Sequence, residues 1–232
     1  PGPPPGSSER SERPGEGYSQ RATGDGVSAS QRVLVWFHGN AGNVGHRLPF
    51  AQALVTSFGL DVVLVDYRGY GRSDGVPSEA GLYLDGRAMY AAATERGFAP
   101  EQIVLFGESL GAAVALDVAA EHPSGALIVE APFLSIPAMA RVVYPFLPTR
   151  LITTRFDNEA KIARVTVPKL FLQAERDEIV PPAQTRRLYE LAPAPKEYAV
   201  IPRATHNTMF RDGGADYLEA WRRFLHRDQP IG

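Results

Sequence analysis

The sequence contains no cysteine, which excludes disulfides, thiolate nucleophiles and Cys-ligated zinc and leaves the redox compartment open. It also lacks an excess of either charge. Against 26 acidic side chains stand 24 basic ones, with no dense Lys/Arg block. Nucleic acid is therefore not an expected partner, because a footprint for a polyanion needs clustered cations. No apolar run reaches the roughly 18 residues of a membrane span, and the start lacks the charged-then-apolar order of a secretory leader. A soluble, cytoplasmic chain is the expectation. It begins at Pro1 rather than methionine, so if an upstream anchor was removed the expectation becomes peripheral membrane association. Internal repeats are also missing, and nothing in the sequence specifies an oligomeric state.

What is present suits one sizeable core: 232 residues, 44% of them hydrophobic, a length common for a single α/β domain. Residues 1–30 are rich in Pro, Gly, Ser, Glu and Arg and cannot bury enough surface to offset their ordering entropy, so they read as a flexible polar tail. From Gln31 to Gly232 the texture changes. Apolar runs at Val33 to Phe37, Val62 to Asp66, Ile103 to Phe106, Ala126 to Glu130, Leu170 to Gln173 and Tyr198 to Ile201 read as strands buried on both faces. Helix-like segments alternate with them at Leu48 to Phe58, Ser78 to Arg96, Leu110 to Glu121, Pro182 to Leu191 and Ala215 to His226. Such alternation predicts right-handed βαβ crossovers and a mostly parallel sheet flanked by helices, with ligands beyond the carboxyl ends of the strands. Between Ala131 and Val167 the alternation lapses into a proline-rich stretch that predicts a small lid.

One joint carries chemistry. In IVLFGESLGAAVAL, Ile103 to Leu116, a strand ends in Gly107-Glu108-Ser109-Leu110-Gly111 and continues as a helix. This fits a nucleophile elbow, in which the serine sits on a strained turn and the flanking glycines allow close backbone approach. The helix N-terminus behind it favours developing negative charge. An elbow serine takes its acid and then its base from later in the chain. Of five histidines, His38 and His46 precede the serine, His122 closes the elbow helix and His226 lies in the final helix candidate; His206 remains, just after the last strand candidate and so at the correct sheet edge. Asp177 heads a D-x-x-V-P pattern after the preceding strand and is favoured as the orienting acid; its neighbours Glu175 and Glu178 read as solvated charges. The loop after Val33 to Phe37, HGNAGN, offers backbone N–H groups, so Asn40 and Leu110 are the candidate oxyanion donors. Asp66, Arg68 and Ser73 of the next glycine-rich loop read as bracing.

These residues together resemble the α/β-hydrolase superfamily. FHGNAGNVGHRLP, LVDYRGYGRSDG, PSEAGLYLDG, LFGESLGAAVA, APFLSIPAMA, AERDEIVPP and ATHN are similar to its bud-emergence branch. The resemblance implies an α/β-hydrolase fold, with Ser109, Asp177 and His206 at the family's triad positions and no cofactor or metal. It also implies two antiparallel strands before Val33, where this chain has its polar tail, so N-terminal edge strands are expected to be missing. Ala112 stands where relatives commonly have glycine. The expected activity is cleavage of carboxylic esters of short to medium acyl chains, the substrate a small-molecule or lipid-like acyl ester. Phe133, Leu134, Met139, Tyr144 and Phe146 of the lid are the expected substrate wall. A thioesterase or lysophospholipase on the same residues, and a non-catalytic binding protein of the same fold, are the competing readings.

Overall fold

The computed structural model describes residues 27–28, 31–146 and 148–226. Six strands, β1 (Val33–Phe37), β2 (Asp61–Leu64), β3 (Ile103–Glu108), β4 (Ala126–Glu130), β5 (Lys169–Ala174) and β6 (Lys196–Ile201), form one sheet in the order β2-β1-β3-β4-β5-β6. Every pairing is parallel. All six expected strands are found, two with the expected ends and four with an end shifted by one or two residues. Around the sheet lie seven helices: α1 (Val44–Phe58), α2 (Glu79–Glu95), α3 (Leu110–Glu121), α4 (Ile136–Val143), α5 (Asn158–Ile162), α6 (Pro182–Leu191) and α7 (Met209–Leu225). The expected tail falls, apart from Val27 and Ser28, outside the described residues. Val27 packs against the core, and the Ser28 carbonyl accepts from Gln102. Among the described residues no strand lies beyond β2.

Strand alternation explains the two cores. In β1, Val33, Val35 and Phe37 face one side and Leu34 and Trp36 the other; β3 splits likewise into Ile103 and Leu105 against Val104 and Phe106. Residues two apart share a face, so continuous apolar strands need helices on both sides. One side is covered by α2, α3, α5 and α6, the other by α1 and α7, whose Trp221 and Tyr217 are fully buried. Two helices depart from expectation. α1 starts four residues before Leu48, because the Asn43 N–H is satisfied by the His46 ring at 3.2 Å and Pro49, early in the helix, forfeits only one bond. α7 starts at Met209 and breaks at Gly214 (φ 48°), so the expected helix from Ala215 is its second part.

The chain runs outward from β1 to β2, then returns to place β3 on the other side of β1. That reversal opens a crevice between the carboxyl ends of β1 and β3, where ligands bind in open α/β sheets. Gly39 and Asn40 follow β1 there, and Ser109 follows β3. The lid region is anchored at its base. Glu79, in the first turn of α2, accepts from the backbone N–H groups of Arg155 (2.6 Å) and Phe156 (2.8 Å). Asn158 donates to the Phe133 carbonyl, and Gln184 accepts from the Leu134 N–H.

On the sheet's larger core α2 meets α3 closely at Gly86. A Cβ there would stand 2.4 Å from Val114 Cγ1. Gly86→Val should therefore lower stability by about 2 kcal/mol despite its better helix propensity, because overpacking outweighs it. A denaturant titration reads this as a lower midpoint at unchanged slope.

Candidate active site

Ser109 sits between β3 and α3 with φ 49° and ψ −108°, a strained backbone for a residue with a Cβ. The turn is possible because its neighbours are bare. A Cβ on Gly111 would lie 1.9 Å from the Phe37 carbonyl oxygen, and one on Gly107 would lie 2.6 Å from Ala112 Cα. The Ser109 N–H donates to the Glu130 carbonyl at 2.8 Å, which ties the turn to β4. Its hydroxyl stands 3.0 Å from His206 Nε2. His206 Nδ1 in turn faces Asp177 at 2.9 Å and 3.0 Å, and the two side chains are 7% and 0% exposed. The three expected residues thus form one hydrogen-bonded line.

The acid and the base are held by their loops. Asp177 Oδ1 also accepts from the N–H groups of Ile179 (3.0 Å) and Val180 (2.8 Å), which closes the turn after β5. Glu175 and Glu178 are exposed, as expected of solvated charges, and each also accepts a backbone hydrogen bond. Glu175 accepts from the Arg203 N–H at 2.7 Å and Glu178 from the His206 N–H at 3.0 Å. Both therefore bind the β6 to α7 loop that carries the histidine; their chain spacing gives no sign of that partner.

On the other side of the serine, Glu108 joins the elbow to the loop after β1. Its carboxylate accepts from the Gly39 N–H (3.2 Å) and Arg47 Nε (3.3 Å), while Arg47 Nη1 donates to the Ala41 and Asn43 carbonyls. This brace surrounds Asn40, whose side-chain oxygen accepts from the Tyr70 hydroxyl at 2.6 Å. His38 is buried, donates from Nδ1 to the Gly39 carbonyl at 2.8 Å and rests on Tyr67; burial pushes its pKa down. The Leu110 N–H, at the first position of α3, has no intrahelical acceptor. Asp66 accepts from the Val44 N–H and from Ser73 through its carbonyl, and Arg68 pairs with Asp85, so these residues do brace the neighbouring loop.

Two clefts meet at Ser109, sharing Asn40, Ser109 and Ile179. One, about 460 Å³, is the more polar of the two and includes Arg47, Glu108, Glu130 and Arg211 beside Phe50 and Phe210. The other, about 420 Å³, is mainly apolar and includes Leu82, Leu110, Phe133, Ile136, Met139 and Phe156. Of the expected substrate wall, Phe133 and Met139 line this apolar cleft. Leu134 instead packs partly buried against the core. Tyr144 and Phe146 point away from it, 57% and 86% exposed, because α4 ends at Val143 and Pro145 prevents it from continuing along the cleft. Leu82 and Phe156, far apart in sequence, were not expected there.

Glu108 and Glu130 are register partners on β3 and β4, so two carboxyl groups share one buried edge. Burial and the neighbouring Glu108 charge push Glu130 up to about 8, although the Tyr217 hydroxyl donates to it at 2.7 Å. Burial also raises Glu108, against the opposing pull of Arg47.

Comparison with known proteins supplies relatives for this arrangement. The Hydrolase_4 family, described as serine aminopeptidase, S33, matches residues 28–161 and 150–212. The protein Rv2307c of Mycobacterium tuberculosis is 41% identical over 197 residues, covering 84% of this chain and 70% of that one. Protein bem46 of Schizosaccharomyces pombe is 39% identical over 205 residues, covering 84% of this chain and 68% of its own. Among solved structures, an esterase of Pyrococcus furiosus superposes with a TM-score of 0.68 at 20% identity, over 85% of this chain and 82% of that one. At that identity it shows the fold alone.

The Glu130 proton has a measurable consequence. The unfolded chain releases it near the ordinary glutamate value, whereas the folded chain holds it to about pH 8. Its contribution is therefore complete below about pH 4.5 and is lost progressively as pH rises toward 8. Glu130→Gln, which keeps an acceptor for Tyr217, should raise stability by about 1–3 kcal/mol at pH 7 to 8 and flatten its decline over that window. Denaturant midpoints across pH check this, and an unchanged slope against pH would count against it.

Proposed function

This chain belongs to the Hydrolase_4 family and is an α/β-hydrolase of the bem46 type, and on that premise we propose that it is a serine esterase. Its substrates in this reading are carboxylic esters of short to medium acyl chains. The observation that carries the reading is the line from Ser109 through His206 to Asp177, at 3.0 Å and 2.9 Å, placed where an apolar cleft opens.

In this mechanism His206 Nε2 takes the Ser109 proton as the oxygen attacks the acyl carbonyl. Asp177 holds the Nδ1–H tautomer and stabilises the imidazolium. The oxyanion forms beside the Asn40 and Leu110 amides, and the N-terminus of α3 adds its partial positive charge. Collapse expels the alcohol, which leaves with the proton from His206. Water, deprotonated by the same ring, then releases the acid. Glu108 and Arg47 act through the loop after β1: by holding Gly39, Ala41 and Asn43 they set where the Asn40 amide points. The acyl chain lies in the cleft lined by Phe133, Met139 and Phe156. Each buried methylene there stabilises binding by about 0.8 kcal/mol until the cleft is full. The alcohol faces the more polar cleft, whose Arg47, Glu108 and Glu130 supply hydrogen-bonding groups.

Ser109→Ala should lower kcat on p-nitrophenyl butyrate by at least about 10⁴-fold with an unchanged melting temperature, because the hydroxyl makes no core contact. Undiminished turnover in the purified variant would refute the assignment. Across a series of p-nitrophenyl esters, kcat/KM should rise with chain length to the medium acyl range and then fall. A steady rise to palmitoyl would favour a long-chain lipid or acyl-protein substrate instead.

A further inference from the structure

The cap between β4 and α5 has an unusual charge balance. From Ala131 to Asp157 the chain carries three arginines, Arg141, Arg150 and Arg155, and one acid, Asp157, which faces Arg155 at 3.8 Å. Over the whole chain the acids outnumber the bases. The same segment concentrates exposed apolar side chains. Of the eleven large hydrophobic residues exposed in the described structure, four lie within ten residues: Val142 (57%), Tyr144 (57%), Phe146 (86%) and Leu151 (69%). Arg141 and Arg150 flank them, exposed and without an ion-pair partner among the described residues.

The base of the cap is fixed while these residues face solvent. Glu79 holds Arg155 and Phe156, Ser135 caps α4 through the Ala138 N–H at 3.2 Å, and the Ile136 N–H donates to the Arg155 carbonyl at 2.8 Å. The side chains of Ile136, Met139 and Phe156, on the inner side, line the apolar cleft beside Ser109. Two prolines, Pro145 and Pro148, lack N–H donors, so this stretch is unsuited to pairing as an added strand with another protein. Aromatic and aliphatic tips flanked by guanidinium groups instead match an interface with apolar depth and surface phosphates. Among the described residues no helix is long and apolar enough to cross a membrane, so the match is to a surface.

We propose that Arg141, Val142, Tyr144, Phe146, Arg150 and Leu151 form a docking surface for an anionic lipid bilayer. The rings and aliphatic tips enter at the headgroup level, and the two arginines meet lipid phosphates. Docked this way, the cap brings the apolar cleft to the bilayer. The binding itself stands apart from the esterase reading; only the delivery of an acyl chain to Ser109 rests on it.

Vesicle co-sedimentation of the full chain tests the surface. With phosphatidylcholine vesicles containing about 30 mol % phosphatidylserine the protein should pellet at low salt and be released at high salt; with phosphatidylcholine alone it should stay in solution. Arg141→Glu and Arg150→Glu should each weaken partition by about fivefold or more. The pair Phe146→Ser and Leu151→Ser should abolish it without lowering the melting temperature, because both residues are exposed. Ser109→Ala should pellet like the parent, which separates binding from turnover. No binding to the anionic vesicles would overturn the proposal, as would partition unaffected by either set of changes. Lipid-free self-association abolished by Phe146→Ser would assign the surface to a second copy of this chain and overturn it equally.

Discussion

The site depends on one close approach, between the first turn of α3 and the end of β1. Gly111 lies so near the Phe37 and His38 carbonyl oxygens that no side chain fits between them. That contact lets α3 begin directly behind the serine and forces Ser109 into a backbone conformation of positive φ. Strain of this kind costs on the order of 1–3 kcal/mol and persists only where the surroundings over-determine it. Here they do: the Ser109 N–H is fixed to β4, Gly107 is covered by Ala112, and the elbow helix is almost wholly buried.

Around that joint, carboxylates hold backbone N–H groups, and Glu108 holds the Arg47 guanidinium as well. Glu108 binds Gly39, Asp177 binds Ile179 and Val180, Glu175 binds Arg203, and Glu178 binds His206. Hydrogen bonds to a charged acceptor are stronger than neutral ones, so these bonds tie loops without regular structure to the rest of the site. The exception is Glu130, whose burial beside Glu108 favours the protonated form. A pair of carboxyl groups at one sheet edge is costly, and the site tolerates it by keeping a proton on one and a guanidinium beside the other.

The cap combines a fixed base with an exposed outer face. Its inner residues complete the apolar cleft, so the same short segment sets the size of the cleft and presents arginines and aromatic rings to solvent. Bonds from Glu79 and Asn158 at its base allow those outer residues to vary in chemistry without disturbing the cleft floor.

The strands and the elbow were legible in the sequence because their signals are local. A run such as VLVWF has one reading when buried on both faces, and G-x-S-x-G between a strand and a helix specifies a turn by steric exclusion. Chain order then singled out His206 and Asp177, which the fold brings together across 29 residues. Sheet order, the Glu108 to Arg47 brace and the partners of Glu175 and Glu178 were decided only by tertiary structure. So was the fate of the lid aromatics. Phe133 and Tyr144 look alike in sequence, yet one lines a cleft and the other faces solvent, because burial depends on where α4 ends and on what α2 places opposite. A side chain's type records that it can be buried; only the packing of distant elements determines whether it is.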